Sequence, residues 1–327
     1  MSGGAIDLSG QVAIVTGAAG GLGRAYALAL AARGAAVVAN DLGGDTRGEG
    51  PGPALAEAVA DEIRTRGGRA IANGDTVATR AGGEAITRAA LDHFGRIDIV
   101  VNNAGNQRNA LFEDLTEDDI EAVLAVHLKG GFYVTQPAYR LMKRQGYGRI
   151  IFTGSQSGSF GNPYRANYGA AKTGLIGLMR VLVQEAPPEI RINCVMPNAS
   201  GSRMGTPGED RVDKDFIAAI LARGDAYADR SSPDYCAALV TWLASPACDV
   251  TGQSWSVLRG HYARVFAGRT GCWTGARHGG APTAEDIGAQ LGAIGGAAEW
   301  HEPESGIDEG DIVRAALDRR FGNMETA

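Results

Sequence analysis

The chain has 327 residues, a net charge of −6 at pH 7, 44% hydrophobic residues, 48 glycines and only 6% aromatic residues, a composition typical of α/β proteins whose helices pack closely on a sheet. The acidic charge and the lack of a long run of Lys or Arg argue against nucleic acid as a partner. No segment approaches the roughly 18 apolar residues of a membrane span, and the first residues do not resemble a signal peptide, so we expect a cytoplasmic protein.

Short β-branched runs alternate with longer Ala-rich segments from Gln11 to Val257, which is typical of βαβ units and a parallel sheet. The runs are apolar throughout, so we expect strands that are buried on both faces. Right-handed crossovers then place helices on both sides of the sheet, as in a doubly wound, Rossmann-like α/β fold. Seven strands are predicted: Gln11–Thr16, Ala35–Asn40, Arg69–Asn73, Ile97–Asn103, Arg149–Gly154, Arg191–Met196 and Gln253–Val257.

The segments between these strands have helical periodicity, and several end at a Gly that can close a helix. Two loops, Leu42–Pro53 and Pro197–Glu209, are long enough for either a functional role or a flexible surface. Helices are predicted at Leu22–Arg33, Ala54–Arg66, Thr79–Phe94, Thr116–Arg144, Asn167–Glu185 and Pro233–Ala244.

The C-terminal part differs in composition. After Arg259 the chain is rich in Gly, Arg and His, with little periodicity until a predicted helix at Gly310–Arg320. We therefore expect one catalytic domain over residues 1–262 and a Gly-rich extension over residues 263–327 that ends in a helix.

The cysteines show neither C-x-x-C pairing nor a nearby His at zinc-ligand spacing, so we predict reduced, structural thiols and no metal site. These four residues are Cys194, Cys236, Cys248 and Cys272.

The first predicted strand leads directly into TGAAGGLG, from Thr16 to Gly23, which opens the first helix. A Gly-rich turn of this kind lets backbone amides approach a pyrophosphate, and the helix dipole favours its negative charge. The spacing of Gly17, Gly21 and Gly23 is wider than the G-x-G-x-x-G of other dinucleotide sites. Such turns also occur only to pack a helix on a strand, but the strand before and the helix after indicate a dinucleotide site.

Asp41 stands at the end of the second predicted strand, about twenty residues beyond the turn. A carboxylate there accepts hydrogen bonds from the ribose hydroxyls of NAD and repels the 2′-phosphate of NADP. NAD is therefore the predicted cofactor, although Arg47 in the following loop could approach the same site. Asp75, just past the third strand, is interpreted either as a reader of the adenine amino group or as a turn-capping residue.

Tyr168 and Lys172 are four residues apart in a predicted helix and so lie on the same face. Lys172 is expected to lower the pKa of the phenol, ordinarily about 10, and it can also hold the nicotinamide ribose. Ser155 follows the fifth strand and can hydrogen-bond the substrate oxygen. A Y-x-x-x-K pattern alone also occurs on solvated helix faces. Together with the dinucleotide turn and Asn103 after the fourth strand, it indicates an oxidoreductase site at the carboxyl ends of the strands.

These motifs resemble the short-chain dehydrogenase/reductase family from about Ser9 to Arg259. Within it, the segments NDLGGD and GNPYRANYGAAK resemble the (3R)-hydroxyacyl-CoA dehydrogenase unit of peroxisomal multifunctional enzymes of type 2, also called type 4 17β-hydroxysteroid dehydrogenase. The resemblance implies a catalytic trio of Ser155, Tyr168 and Lys172. It implies cofactor contacts from Gly17, Gly21, Leu22, Gly23, Asp41, Asp75, Thr76, Asn103, Tyr168 and Lys172.

The resemblance also implies reversible oxidation of a secondary alcohol, with a (3R)-3-hydroxyacyl-CoA as the substrate. Arg108 and Arg203 are interpreted either as partners of the CoA phosphates at the pocket rim or as solvated surface residues. Two other functions stay open: a dehydrogenase for steroids or other bulky alcohols, and a non-catalytic NAD-binding redox sensor. The family further implies a homodimer or homotetramer, formed through the fourth and fifth helices.

The chain departs from the family pattern at His127, where many members have an Asn that relays protons through water. We interpret His127 as a packing or backbone-supporting residue, with proton relay as the alternative. The loop from Pro197 to Met204 replaces the common P-G start. No hydratase unit, sterol-carrier unit or peroxisomal tripeptide is recognised, so we expect any pathway partner to be a separate protein.

Overall fold

A computed structural model of the protein describes residues 5–44, 47, 54–198, 211–216, 218, 230–270, 273–274, 281–296 and 300–321. The chain forms two compact units, Met1–Arg264 and Val265–Ala327. Most of the two loops predicted at Leu42–Pro53 and Pro197–Glu209 lies outside the described residues, as do Arg203 and Cys272.

The first unit is built on one eight-stranded sheet in the order β3-β2-β1-β4-β5-β6-β7-β8. All neighbouring pairs from β3 to β7 are parallel, which confirms the seven predicted strands. The strand order reverses between β1 and β4, and open α/β sheets bind ligands in the crevice at such a switch point. The strands are β1 Val12–Thr16, β2 Ala36–Asn40, β3 Arg69–Asn73, β4 Ile99–Asn102, β5 Gly148–Thr153, β6 Ile190–Asn198, β7 Ser254–Leu258 and β8 His261–Val265.

The eighth strand is an addition to the predicted sheet. It follows β7 after the two-residue turn Arg259-Gly260, whose φ angles of 51° and 73° are those that tight hairpins require. The segment His261–Val265 is mostly exposed or half-buried, so it lacks the apolar run that identifies the inner strands. Its composition alone therefore did not predict a strand.

Helices cover both faces of the sheet and enclose two apolar cores. Alternate strand residues enter opposite cores: Ala13 and Val15 pack on one side, and Val12 and Ile14 on the other. This is the doubly wound arrangement that the alternation of strands and helices predicts. The helices of the first unit are α1 Gly21–Ala31, α2 Ala54–Thr65, α3 Arg80–Phe94, α4 Glu117–Leu124, α5 Gly130–Gln145, α6 Gln156–Phe160, α7 Ala166–Glu185 and α8 Pro233–Ala244.

The helix predicted over Thr116–Arg144 is not continuous. A π-helical segment, Ala125–Lys129, separates α4 from α5. A π-turn adds one residue without changing the apolar pattern strongly, so periodicity did not reveal it. The short helix α6, which begins directly after Ser155, was not predicted either, because five residues give no periodic signal.

The second unit contains α9 Ala284–Ile294, α10 Gly306–Phe321 and a two-stranded antiparallel pair, β9 Arg269–Thr270 with β10 Trp300–His301. The predicted C-terminal helix is present, but it begins at Gly306 rather than at Gly310. Helix α9 was not predicted, although Thr283 and Asp286 form a capping box at its start. Among the residues that the structure describes, no helix combines the length and apolar character needed to cross a membrane.

Candidate active site

A cavity of about 860 Å³ lies at the carboxyl ends of the strands next to the switch point. It is bordered by the turn after β1, by Asp41 after β2, by Asn103 after β4 and by Ser155 after β5. The structure brings the predicted site residues together around this one cavity: Gly17, Gly21, Leu22, Gly23, Asp41, Asp75, Thr76, Asn103, Ser155, Tyr168 and Lys172.

The Gly-rich turn is packed too closely for side chains. Gly17 has a φ of +67°, and a Cβ on Gly23 would lie 2.0 Å from the carbonyl oxygen of Gly17. Helix α1 then begins at Gly21, and Gly20 at its N-cap has no side chain to satisfy the first amides. These open backbone donors at a helix N-terminus fit the pyrophosphate of a dinucleotide.

The side chains of Asn103 and Thr16 hold the turn against β4. The amide of Asn103 donates hydrogen bonds to the carbonyl oxygens of Thr16 at 3.0 Å and of Gly17 at 3.2 Å. The Thr16 hydroxyl oxygen accepts from the backbone amides of Asn103 at 3.0 Å and Ala104 at 3.1 Å. Sequence reasoning did not select Thr16, although its place at the first position of the T-G-x-x-x-G-x-G motif is a usable signal.

Asp41 is 9% exposed, and both of its carboxylate oxygens accept backbone hydrogen bonds. One oxygen accepts from the amide of Ala19 in the turn at 2.9 Å, and the other accepts from Gly43 at 2.8 Å. The carboxylate is therefore fixed in orientation at the edge of the cavity. Its acceptor chemistry fits ribose hydroxyls, which are hydrogen-bond donors.

Asp75 is part of a turn after β3. The Asn73 side chain donates to the Asp75 carboxylate at 2.8 Å, and the Asp75 amide donates to the Asn73 side chain at 3.0 Å. This is the turn-capping arrangement, and Asp75 borders the cavity as well. The neighbouring Thr76 hydroxyl oxygen accepts from the amide of Ala78 at 3.2 Å.

Tyr168, Lys172 and Ser155 are all buried and lie side by side. The Lys172 ammonium lies 5.5 Å from the centroid of the Tyr168 ring and donates to the carbonyl oxygen of Thr153 at 2.6 Å. Ser155 caps α6 by accepting from the amide of Ser157 at 3.1 Å and also hydrogen-bonds Tyr168. A phenol, an ammonium and a hydroxyl thus meet at one end of the cavity.

Burial is the main influence on the pKa values of Tyr168 and Lys172. It raises the pKa of Tyr168, and the hydrogen bond with Ser155 and the charge of Arg165 oppose the rise. Burial also lowers the pKa of Lys172 to about 8, and the electrostatic interaction with Cys194 opposes that lowering. The expectation that Lys172 lowers the pKa of Tyr168 stays a prediction, because burial leaves the pKa of the phenol above its ordinary value and the ammonium donates to Thr153.

His127 lies in the π-helical segment, beside Tyr168. Its ring contacts the Tyr168 ring edge-on, with centroids 5.1 Å apart, and its Nε2 lies 2.9 Å from the carbonyl oxygen and 3.1 Å from the amide nitrogen of Asn106. Burial, and secondly the charge of Lys172, hold the pKa of His127 well below its ordinary value, so the imidazole is neutral. Its buried Nδ1 has no hydrogen-bond partner among the described residues. His127, Lys172 and Asn102 also line a second cavity of about 10 Å³.

Two arginines add positive charge to the catalytic end of the large cavity. Arg108 is only 8% exposed and lines the cavity, so its interpretation as a solvated surface residue is wrong. Arg165 also lines the cavity, and its guanidinium carbon lies 5.7 Å from the centroid of the Tyr168 ring. Sequence reasoning missed Arg165, although its position three residues before Tyr168 at the start of a helix was visible.

The described cysteines, Cys194, Cys236 and Cys248, are buried and unpaired. Burial raises the pKa of the Cys194 thiol to about 11 and that of Cys236 to about 12. These two thiols are therefore protonated and weakly reactive at neutral pH. Within the described ranges, no group of His, Cys, Asp and Glu is arranged to hold a metal ion.

Comparison with known proteins identifies close relatives. The chain is 45% identical over 266 residues to peroxisomal multifunctional enzyme type 2 of Mus musculus, a match that covers 81% of this chain and 34% of the mouse protein. It is 38% identical over 253 residues to a 3-oxoacyl-[acyl-carrier-protein] reductase of a Synechocystis species, covering 76% of this chain and 96% of that enzyme. The chain thus spans about a third of the mouse protein and nearly all of the bacterial one.

The fold has a counterpart among solved structures. Full-length peroxisomal multifunctional enzyme type 2 from Drosophila melanogaster matches with a TM-score of 0.74 and 29% identity, over 96% of this chain and 50% of the fly chain. The model of the short chain dehydrogenase family matches residues 11–212, which include the Gly-rich turn and all three residues of the trio. The chain therefore belongs to the short-chain dehydrogenase/reductase family and is an oxidoreductase.

Proposed function

We propose that this chain is an NAD(H)-dependent dehydrogenase that interconverts a (3R)-3-hydroxyacyl-CoA and the corresponding 3-oxoacyl-CoA. One observation supports the proposal: a single cavity is lined by the open amides at the start of α1, by the Asp41 carboxylate and by the Ser155, Tyr168 and Lys172 trio. A dinucleotide that spans this cavity would bring its nicotinamide to the trio.

The preference for NAD rests on Asp41. Its carboxylate is buried and fixed by the amides of Ala19 and Gly43, so it cannot move away from a 2′-phosphate without breaking both hydrogen bonds. Arg47 lines the same cavity and is the residue that could favour NADPH instead. The two cofactors are therefore compared directly in the experiment below.

A bound nicotinamide would supply the hydride acceptor, and the protein's own residues would accept and transfer the proton. Tyr168 takes the hydroxyl proton of the substrate as the carbon–hydrogen bond breaks, and the Ser155 hydroxyl donates a hydrogen bond to the forming carbonyl oxygen. Lys172, whose pKa is lowered to about 8, holds the ribose and supplies charge beside the phenol.

The acyl substrate is proposed from the relatives and from Arg108. The Synechocystis relative is a 3-oxoacyl reductase by name, and the proposed reaction has the same 3-oxo and 3-hydroxy groups. Arg108 is buried in the cavity rather than exposed at its rim. The positive charge of Arg108 at the cavity wall favours a substrate with negatively charged or strongly polar groups, such as an acyl-CoA, over an apolar steroid.

The test is the initial rate of absorbance change at 340 nm with NADH or NADPH, against acetoacetyl-CoA, longer 3-oxoacyl-CoA substrates and 17-ketosteroids. We expect turnover with NADH and the acyl-CoA substrates. Turnover on steroids alone would replace the substrate with a bulky alcohol, and turnover with NADPH alone would overturn the role of Asp41. NADH binding without turnover on any ketone would favour a redox sensor.

The variant Tyr168→Phe tests the chemistry itself. We expect its turnover to fall by about 10²- to 10⁴-fold, while its affinity for NADH stays close to that of the parent. Tyr133→Phe is the matched control, because Tyr133 lies on α5 and does not line the cavity. Retained turnover in Tyr168→Phe would remove Tyr168 from the mechanism.

A cytoplasmic location and a homodimer or homotetramer are proposed with this function. The oligomer is inferred from the family, and helices α5 and α7 each expose an apolar side chain, Phe132 and Val181. Light scattering on the purified chain gives its mass in solution. A monomeric mass at micromolar concentration would contradict the proposed oligomer.

A further inference from the structure

We infer that Arg165 is a second cation of the active site, which stabilises the phenolate form of Tyr168 and so determines the pH range in which Tyr168 accepts the substrate proton. The inference rests on the proposed role of Tyr168 as the proton acceptor. It goes beyond the trio because it assigns the electrostatic support of the phenol to a residue outside the Y-x-x-x-K motif.

The first support for the inference is the position of Arg165. Arg165 is the N-cap residue of α7, three residues before Tyr168, and its side chain turns back over the phenol ring at 5.7 Å from the centroid. It is half-buried and lines the same cavity as Tyr168 and Ser155. A cation held over the ring of an ionisable phenol favours the negative form of that phenol.

The other charged and titratable groups around the phenol are Arg108, Lys172, His127 and Cys194. Arg108 lines the same cavity, but among the described residues only Arg165 and Lys172 hold a cation over the Tyr168 ring. The Lys172 ammonium is equally near the ring, but it donates to the Thr153 carbonyl and its pKa is lowered to about 8, so it loses its proton in mildly alkaline solution. The imidazole of His127 is buried and neutral. Cys194 faces Lys172 and is protonated.

The chemistry of the guanidinium completes the argument. Arg stays protonated throughout the accessible pH range, so its charge beside the phenol is permanent. Burial, the largest influence, raises the pKa of Tyr168, and the positive charge of Arg165 opposes that rise. The reciprocal effect is present too: burial lowers the pKa of Arg165, and the interaction with the Tyr168 phenol opposes that lowering.

The experiment is the pH dependence of kcat and of kcat/KM for oxidation of a 3-hydroxyacyl-CoA by NAD⁺, in the parent, Arg165→Gln and Arg165→Lys. We expect Arg165→Gln to move the acidic limb of the kcat profile to higher pH by about one pH unit. The value of kcat on the alkaline plateau should change less. Arg165→Lys keeps the positive charge, so its pH profile should lie close to that of the parent. Arg180→Gln removes an exposed arginine from the same helix and is the control that should leave the profile unchanged.

Two outcomes would overturn the inference: an acidic limb that does not move in Arg165→Gln, or an Arg165→Lys profile that matches that of Arg165→Gln. If the acidic limb of the profile reflected the ionisation of Lys172 alone, Arg165→Gln would not move it, because Arg165 is not among the groups that shift the pKa of Lys172. Circular dichroism and NADH binding verify that each variant is folded. Tyr168→Phe separates the two proposals: if it is inactive while Arg165→Gln has the parental profile, only the role of Arg165 fails, and if it is active, the proposed function fails.

Discussion

The carboxylate of Asp41 has a structural role and, in the proposed function, also recognises the cofactor. Its two hydrogen bonds to Ala19 and Gly43 join the Gly-rich turn to the segment after β2. The same oxygens are the proposed acceptors for the ribose hydroxyls of NAD. A substitution should therefore change cofactor affinity and cofactor choice together, since the position of the turn depends on the residue that reads the ribose.

We predict that Asp41→Ala weakens NADH binding by about tenfold or more, as expected when hydrogen bonds to a charged group are lost. The preference for NADH over NADPH should fall as well, because the charge that repels the 2′-phosphate is removed. Titration of NADH and NADPH fluorescence measures both effects. Asp92→Ala, an exposed position on α3, is the control. An unchanged ratio of the two affinities would show that Asp41 does not select the cofactor.

Gly23 offers a test of the turn without any change in charge. A Cβ at this position would lie 2.0 Å from the carbonyl oxygen of Gly17, which is backbone and cannot rotate away. We predict that Gly23→Ala lowers the free energy of unfolding by about 1–3 kcal/mol and weakens NADH binding. Gly177→Ala on α7 is the control, since nothing lies within 4 Å of its added methyl group. Urea unfolding of the two variants measures the difference, and equal stabilities would contradict the close packing of the turn.

Single residues were predictable from sequence where their chemistry depends on local spacing. Asp41, Tyr168 and Lys172 stand at fixed intervals from a strand end or from each other, and the structure places all three around one cavity. Thr16 and Arg165 were missed because their contacts involve segments far along the chain or a side chain that turns back over the ring. The effect of burial on the Tyr168 pKa was missed for a related reason, since burial depends on the whole fold.

Helices and strands were likewise predictable where the signal lies in the local sequence, and not where it depends on packing with distant segments. The inner strands β1, β2, β4, β5 and β6 are largely buried and have clear apolar runs. Strands β3 and β7 are only partly buried, and they were predicted from their β-branched or aromatic residues and their place in the alternation of strands and helices. The exposed edge strand β8 has no such signal. The π-helical segment Ala125–Lys129 is invisible to periodicity, yet it places His127 against the backbone of Asn106. Where one extra residue enters a helix, only the packed structure reveals the change of side-chain direction.

An ion pair connects the elements around the catalytic helix. Arg211 donates to the Asp119 carboxylate at 2.6 Å and also to the carbonyl oxygen of Asp114. The backbone oxygen of Asp119 accepts from Asn167 at 3.0 Å, and the Asn167 side chain in turn accepts from the amide of Tyr168 at 2.8 Å. The chain around Arg211 is thereby tied to the start of α4 and to the first turn of α7.

Asp119 should make stability dependent on pH in the acid range. Burial raises its pKa, but hydrogen bonds from Arg211 and Thr116 outweigh burial and lower the pKa from 3.8 to about 2. A depressed folded-state pKa means that the contribution to stability is complete well above pH 3.8 and is lost as the pH falls toward about 2. We predict that Asp119→Asn costs about 1–2 kcal/mol at pH 7 and that the cost shrinks between pH 5 and pH 3.

Urea unfolding of the parent and of Asp119→Asn at pH 7, 5, 4 and 3 measures this dependence. Asp118→Asn is the matched control, because Asp118 is the exposed neighbour in the same first turn of α4. A cost that is the same at every pH would mean that the ionised carboxylate of Asp119 does not contribute to stability through the pair with Arg211.

At the level of the whole molecule, the apolar cores and the cavity belong to the first unit. Both buried clusters consist of residues from Leu8 to Val257, and the cavity is lined by residues from Gly17 to Asn198. In the second unit, no described residue of α9 is buried, and large apolar side chains such as Leu291 and Ile307 are exposed. Stability and cofactor binding should therefore reside in the first unit.

We predict that a chain ending at Val265, which retains β8 complete, folds cooperatively and binds NADH with an affinity within about twofold of that of the full chain. The physical reason is that hydrophobic burial dominates folding and that both apolar cores lie within the retained residues. Urea unfolding followed by circular dichroism and by tryptophan fluorescence should give coincident transitions, as two-state domains do. If the shortened chain lost NADH binding while remaining folded, residues 266–327 would have to contribute to the cofactor site, and turnover of acyl-CoA substrates by the two chains would then show whether they also act on the substrate.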